Sequence, residues 1–120
     1  MSATSSYTLL FSCSGASDVG AIADQAARKL TREKAGVMYC TAAVAAGVHT
    51  ALERSAGACK VVAIDGCNQA CARKILEQAG VAGCDQVELG ALGLVKGESP
   101  INEENVELVS RAVRKALSEG

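Results

Sequence analysis

The run Lys60-Val61-Val62-Ala63-Ile64-Asp65 constrains this chain more than any other stretch. Its four central positions are all apolar. Successive strand residues point to opposite faces, so a strand of this kind is covered on both. Helices must then lie above and below it, as they do in a parallel sheet built from βαβ units. Tyr7-Thr8-Leu9-Leu10-Phe11-Ser12 is a second such strand, followed by the turn signal Ser14-Gly15. Shorter strand signals fall at Gly36-Val37-Met38-Tyr39 and at Asp85-Gln86-Val87-Glu88-Leu89.

Between these strands the apolar period becomes helical. Val19, Ile22, Ala23, Ala26, Ala27 and Leu30 share one helix face, with Ser17 placed to cap it. Thr41 is read as the cap of a second helix carrying Val44, Val48, Ala51 and Leu52. A third is expected from Gln69 to Ala79, with Ile75 and Leu76 inward and Gly80 as its stop. Pro100 and Asn102 open the last, whose stripe is Val106, Val109, Val113 and Leu117. In the first and last helices acidic residues precede basic ones, which complements the helix dipole.

The order βαβαβαβα predicts one three-layer, doubly wound α/β domain over residues 1–120, with a four-stranded parallel sheet. Right-handed crossovers favour the strand order 2-1-3-4. The crevice of such a sheet opens where the order reverses, beyond the carboxyl ends of strands 1 and 3. Residues 90–99 read as the irregular segment.

Composition narrows the function classes. Net charge is −1 and only Tyr7, Phe11 and Tyr39 are aromatic, so neither a basic footprint nor a stacking platform for nucleic acid is present. Met1–Ser6 carries no basic residue and precedes only a short apolar stretch, unlike a secretory leader. The longest largely apolar run, Val37 to Val48, is far too short to cross a bilayer. These features predict a cytoplasmic protein with neither nucleic-acid nor membrane partners. In that compartment the six cysteines point to metal binding or thiol chemistry before disulfides.

Four of those cysteines share a pattern. Cys13, Cys40 and Cys67 each close a strand signal, and Cys71 follows one helical turn after Cys67. In a parallel sheet all three strand ends lie along one edge, so distant thiols are expected to meet there. Helix N-termini point to the same edge and suit anionic sulfur. Cys13, Cys40, Cys67 and Cys71 therefore form a candidate metal site for one zinc ion per chain, and iron–sulfur ligation suits the same set. Strands 2 and 3 lie two spacings apart, roughly 10 Å, so Cys40 and Cys67 must lean inward to share an ion. Cys59 and Cys84 precede strands 3 and 4, at the opposite edge, and read as small buried apolar residues.

Two other chemistries fit parts of the pattern. Cys67 and Arg73 stand in C-x₅-R spacing, which suggests a thiol enzyme of the phosphatase or arsenate-reductase type. The five intervening residues include no glycine, however. Cys67 and Cys71 also suggest a redox pair or persulfide carrier, favoured by the lowered thiol pKa expected at a helix N-terminus, but their spacing is one residue longer than C-x-x-C and Cys13 and Cys40 would be left without a role. His49, the only histidine, reads as a surface residue, and Asp65 as a turn acceptor at the strand end.

Asp65-Gly66-Cys67 with Cys71-Ala72-Arg73-Lys74 behind it resembles the DGC domain family, as do Cys13-Ser14-Gly15, Cys40 and Lys96-Gly97-Glu98-Ser99-Pro100. The resemblance extends over nearly the whole chain. Asn68 stands where many members carry proline. The family is described as zinc-binding by inference from four cysteines able to chelate, and it has no established activity. Carried onto this sequence, those four are Cys13, Cys40, Cys67 and Cys71.

Overall fold

The computed structural model describes residues 7–119. The reading of Met1–Ser6 as unlike a leader falls outside that range. Four strands form one all-parallel sheet: β1 (Thr8–Ser12), β2 (Val37–Met38), β3 (Lys60–Asp65) and β4 (Asp85–Glu88). Their order is β2-β1-β3-β4, as the crossover rule predicted. Five α-helices accompany them: α1 (Asp18–Arg32), α2 (Thr41–Ala45), α3 (His49–Ala56), α4 (Cys71–Gln78) and α5 (Glu103–Ser118). The architecture is the expected three-layer α/β fold.

The two central strands run in register from Thr8 opposite Lys60 to Ser12 opposite Ile64. Alternate residues of each serve different cores. Leu10, Val62 and Ile64 pack with α1 and α5 through Ile22, Leu30, Val109 and Val113. Leu9, Phe11, Val61 and Ala63 pack on the other face with Val44, Ala51, Ala72 and Leu76. This two-sided demand is why both strands read as unbroken apolar runs.

Helix α1 follows its sequence pattern closely. Ser17 Oγ accepts the Gly20 amide at 3.1 Å, and every residue of the anticipated stripe is buried. Helix α5 begins at its Asn102 cap, whose side chain accepts the Asn105 amide at 2.8 Å. Helix α4 ends as expected: Gly80 takes a positive φ of 80° while its amide and that of Val81 bond back to Glu77 and Leu76.

The expected second helix is two helices. Gly47 adopts φ 75°, and the Gly47 and Val48 amides bond back to Val44 and Ala43. That pattern terminates α2 after little more than one turn. Val48, expected inward, is instead exposed and is the N-cap residue of α3. Cys40 rather than Thr41 caps α2, while Thr41 donates its hydroxyl to the Ser12 carbonyl at 2.9 Å. β4 is one residue shorter than expected because Leu89 turns into the core as the first residue of a 3-10 turn. No described helix is long and apolar enough to cross a membrane.

Ile64 is fully buried against α1 and α5. Ile64→Ala should therefore lower stability by about 2–5 kcal/mol, read as an earlier urea midpoint at unchanged slope.

Candidate functional site

The site begins where β1 and β3 end side by side. The Cys13 amide donates to the Ile64 carbonyl at 3.1 Å, one step beyond the last paired residues. The chain of β3 then turns at Gly66, whose amide donates to Cys13 Sγ at 3.3 Å. Gly66 is pressed against the start of α1. A Cβ there would lie 2.9 Å from the Gly20 nitrogen and 2.9 Å from the Val19 carbonyl carbon, so only glycine fits without displacing the helix. The tight seam leaves Cys13 and Cys67 half-buried at its lip.

Asp65, fully buried, organises the turn into α4. Its carboxylate accepts the Ala72 amide at 2.8 Å, the Arg73 amide at 3.3 Å and the Gln86 side-chain amide at 3.1 Å. The cap position of α4 is Ala70, which has no side-chain acceptor and sits in the left-handed region at φ 52°. Asp65 thus caps α4 from across the turn, satisfying amides that a helix start leaves unpaired. The helix starts at Cys71, two residues later than the sequence pattern predicts.

Cys13, Cys67 and Cys71 line one crevice of about 430 Å³, together with Gly15–Ser17, Asp65 and Lys96. Cys40 opens into the adjoining groove, of about 1020 Å³, beside Tyr39, Ile75 and again Cys13. Cys40 Sγ accepts the Ala43 amide at 3.3 Å. The four thiols thus lie along one edge, in two hollows that share Cys13. Among the described residues, no three cysteine, histidine, aspartate or glutamate side chains are grouped closely enough to hold an ion. The donor set nevertheless suits a thiophilic metal: four free thiols, two of them already receiving a backbone N–H.

The remaining expected residues fall elsewhere. Arg73 is turned away from Cys67. Its guanidinium bonds Glu77 at 3.1 Å and Gln86 at 3.2 Å and does not line the crevice. His49 is exposed and faces Glu53 at 3.3 Å. Cys84 is half-buried, and burial pushes its thiol pKa up, as expected for an inert position. Cys59 is exposed rather than buried, because β3 begins only at Lys60 and the chain before it lies on the surface.

Two contributors escaped the sequence pattern. Gln86 bridges Asp65 and Arg73 from β4. Asp18 holds the loop that carries Lys96: its carboxylate accepts the Gly97 amide at 2.9 Å on each oxygen and the Ser99 amide at 3.1 Å. Those partners lie 79 and 81 residues away along the chain, beyond any local pattern.

A family model for the DGC domain matches residues 9–113, from β1 into α5. The chain belongs to the DGC domain family. It is also 31% identical over 88 residues to the Anaerobic and virulence modulator AnvM of Pseudomonas aeruginosa (strain PAO1), an alignment covering 73% of this chain and 67% of that protein. No solved structure matches it. The DGC triplet itself is Asp65-Gly66-Cys67, and each member has a distinct role here: helix cap, close-packed turn and crevice thiol.

Asp65→Ala strands two helix amides and should cost about 1–3 kcal/mol in chemical denaturation. Asp65→Asn, which keeps an acceptor oxygen, should lose less. The Gly97 and then the Ser99 amide, each bonded to Asp18, hold its carboxyl below the ordinary value of 3.8. A depressed carboxylate contributes fully above its unfolded pKa and loses that contribution as pH falls through the folded one. Exchange protection of the Gly97 and Ser99 amides should accordingly persist at pH 5 and decline well below pH 3.8.

Proposed function

We propose that this DGC domain is a metal-handling module that binds one thiophilic ion, zinc, through Cys13, Cys40, Cys67 and Cys71. The observation that carries this reading is the Gly66 amide directed at Cys13 Sγ in a crevice shared with Cys67 and Cys71. Four thiolates around Zn²⁺ carry a net charge of −2, and backbone N–H donors at sulfur are the partners such a site needs. When bound, zinc would hold the sulfurs as thiolates and tie three strand ends together. Cys40 and Cys71 are exposed at helix starts, and completing the set requires both sulfurs to move inward. Ser14 and Ala70, next to Cys13 and Cys71, hold positive φ, a backbone cost that accumulates at ligand sites.

A binding role is favoured over turnover. With the Arg73 guanidinium engaged by Glu77 and Gln86, the phosphatase-type reading lacks its anion-binding arginine. AnvM is named a modulator, and a binding role accords with that name. An intracellular location follows from the same reading, since free thiols persist in a reducing compartment.

Protein purified without chelator should carry about one zinc per chain by elemental analysis. Replacing any one of the four cysteines by serine should abolish or sharply reduce it. Cys59→Ser and Cys84→Ser should keep it. Zinc retained in Cys13→Ser, or absent from the untreated protein, would overturn the proposal.

A further inference from the structure

The chain after β4 folds back onto the start of α1 as a closed turn. Ser99 Oγ accepts the Val95 amide at 2.8 Å and donates to the Val95 carbonyl at 3.0 Å, and the Glu98 amide reaches that carbonyl at 3.0 Å. Asp18 clamps this turn through the Gly97 and Ser99 amides. Its outermost cation, Lys96, lines the crevice of Cys13, Cys67 and Cys71. Among the described residues Lys96 makes no ion pair, whereas the crevice's other charge, Asp65, is committed to Ala72, Arg73 and Gln86. One positive charge without an ion-pair partner among the described residues therefore lines the same crevice as three thiols, on a turn clamped by a carboxylate from another element.

We propose that Lys96 selects small anions for the thiol crevice and that Asp18 is the positioning residue that holds it there. The ligand class is a small carboxylate or oxyanion whose other end meets sulfur or a sulfur-held metal. A fixed cation at a concave wall raises the local concentration of an anion and does nothing for a neutral molecule of the same shape. The inference rests on the crevice being the functional site, but not on a metal being bound there.

The test uses the whole reduced, chelator-treated chain and two alkylating agents, anionic iodoacetate and neutral iodoacetamide. In both reactions a thiolate sulfur forms the S–C bond as the C–I bond breaks, and iodide leaves with the electron pair. The ratio of the two rates at one pH cancels the thiolate fraction. Peptide mass spectrometry reads it separately at Cys13, Cys67 and Cys71, with exposed Cys59 at the opposite edge as the internal reference.

Lys96→Met should lower the iodoacetate-to-iodoacetamide ratio at the crevice cysteines by about threefold or more, and leave it unchanged at Cys59. Lys96→Arg should preserve the ratio, and molar salt should flatten the difference. Asp18→Asn should reproduce the fall, as should Ser99→Ala, which opens the turn without altering α1. An unchanged ratio in Lys96→Met overturns the selection. A fall in Lys96→Met with none in either Asp18→Asn or Ser99→Ala overturns the positioning role. Zinc content is read separately: a zinc-free chain that keeps its anion preference sinks only the metal reading, and a zinc-loaded chain without that preference sinks only this one.

Discussion

A buried carboxylate at the end of the central strand governs the geometry of this molecule's thiol edge. A fully desolvated Asp65 is tolerable only with donors on its oxygens, and the nearest amides are those at the start of α4. To deliver them, residues 66–70 must double back sharply, and Ala70 accepts a left-handed conformation to close the turn. That one requirement fixes three things together. Cys67 is held on the turn and Cys71 at the first helical position, so both face one crevice. Arg73, two residues further round the helix, is carried outward to Glu77 and Gln86. The same interaction that brings two cysteines together removes the arginine a phosphate-transfer enzyme would need.

Close backbone packing supplies the third cysteine. Gly66 abuts Val19 and Gly20, and Gly20 in turn abuts Gly15, where a Cβ would meet the Gly15 nitrogen at 2.7 Å. The first turn of α1 can therefore sit directly on the end of β3. This happens at the point where strand order reverses, between β1 and β3, so the lip of the seam is also the natural ligand crevice of the fold. Cys13 and Cys67 flank it from either strand.

What could be read from the sequence was whatever repeats locally. The two-sided burial of β1 and β3 writes itself as continuous apolar runs, and the stripe of α1 was complete residue by residue. The split after α2 was legible in principle, since Gly47 between Ala46 and Val48 is a helix-stop signal, but the apolar spacing continues through it and masked the break. Placing three cysteines at one edge followed from parallel topology alone. How far each sulfur leans did not, because it depends on Cys40 capping α2 and on the turn before Cys71. The Asp18 clamp and the Gln86 bridge were invisible for the same reason: each joins elements through one long-range contact that leaves no periodic trace.

The distribution of cysteine burial bears on what the thiol edge is for. A structural metal usually replaces a core that a small chain cannot assemble. Here both faces of the sheet are already closed by aliphatic side chains and Phe11, and none of the four edge cysteines is fully buried. Cys84, at the opposite edge, is half-buried with its S–H bonded to the Asp85 carbonyl at 3.2 Å, and Cys13 and Cys67 are half-buried against the cores in the same way. Cys40 and Cys71 differ: both are exposed, one capping α2 and the other opening α4. A fold that needed these sulfurs for stability would bury them. Here both cores close without them, and the four sulfurs stay open to the crevice and its adjoining groove.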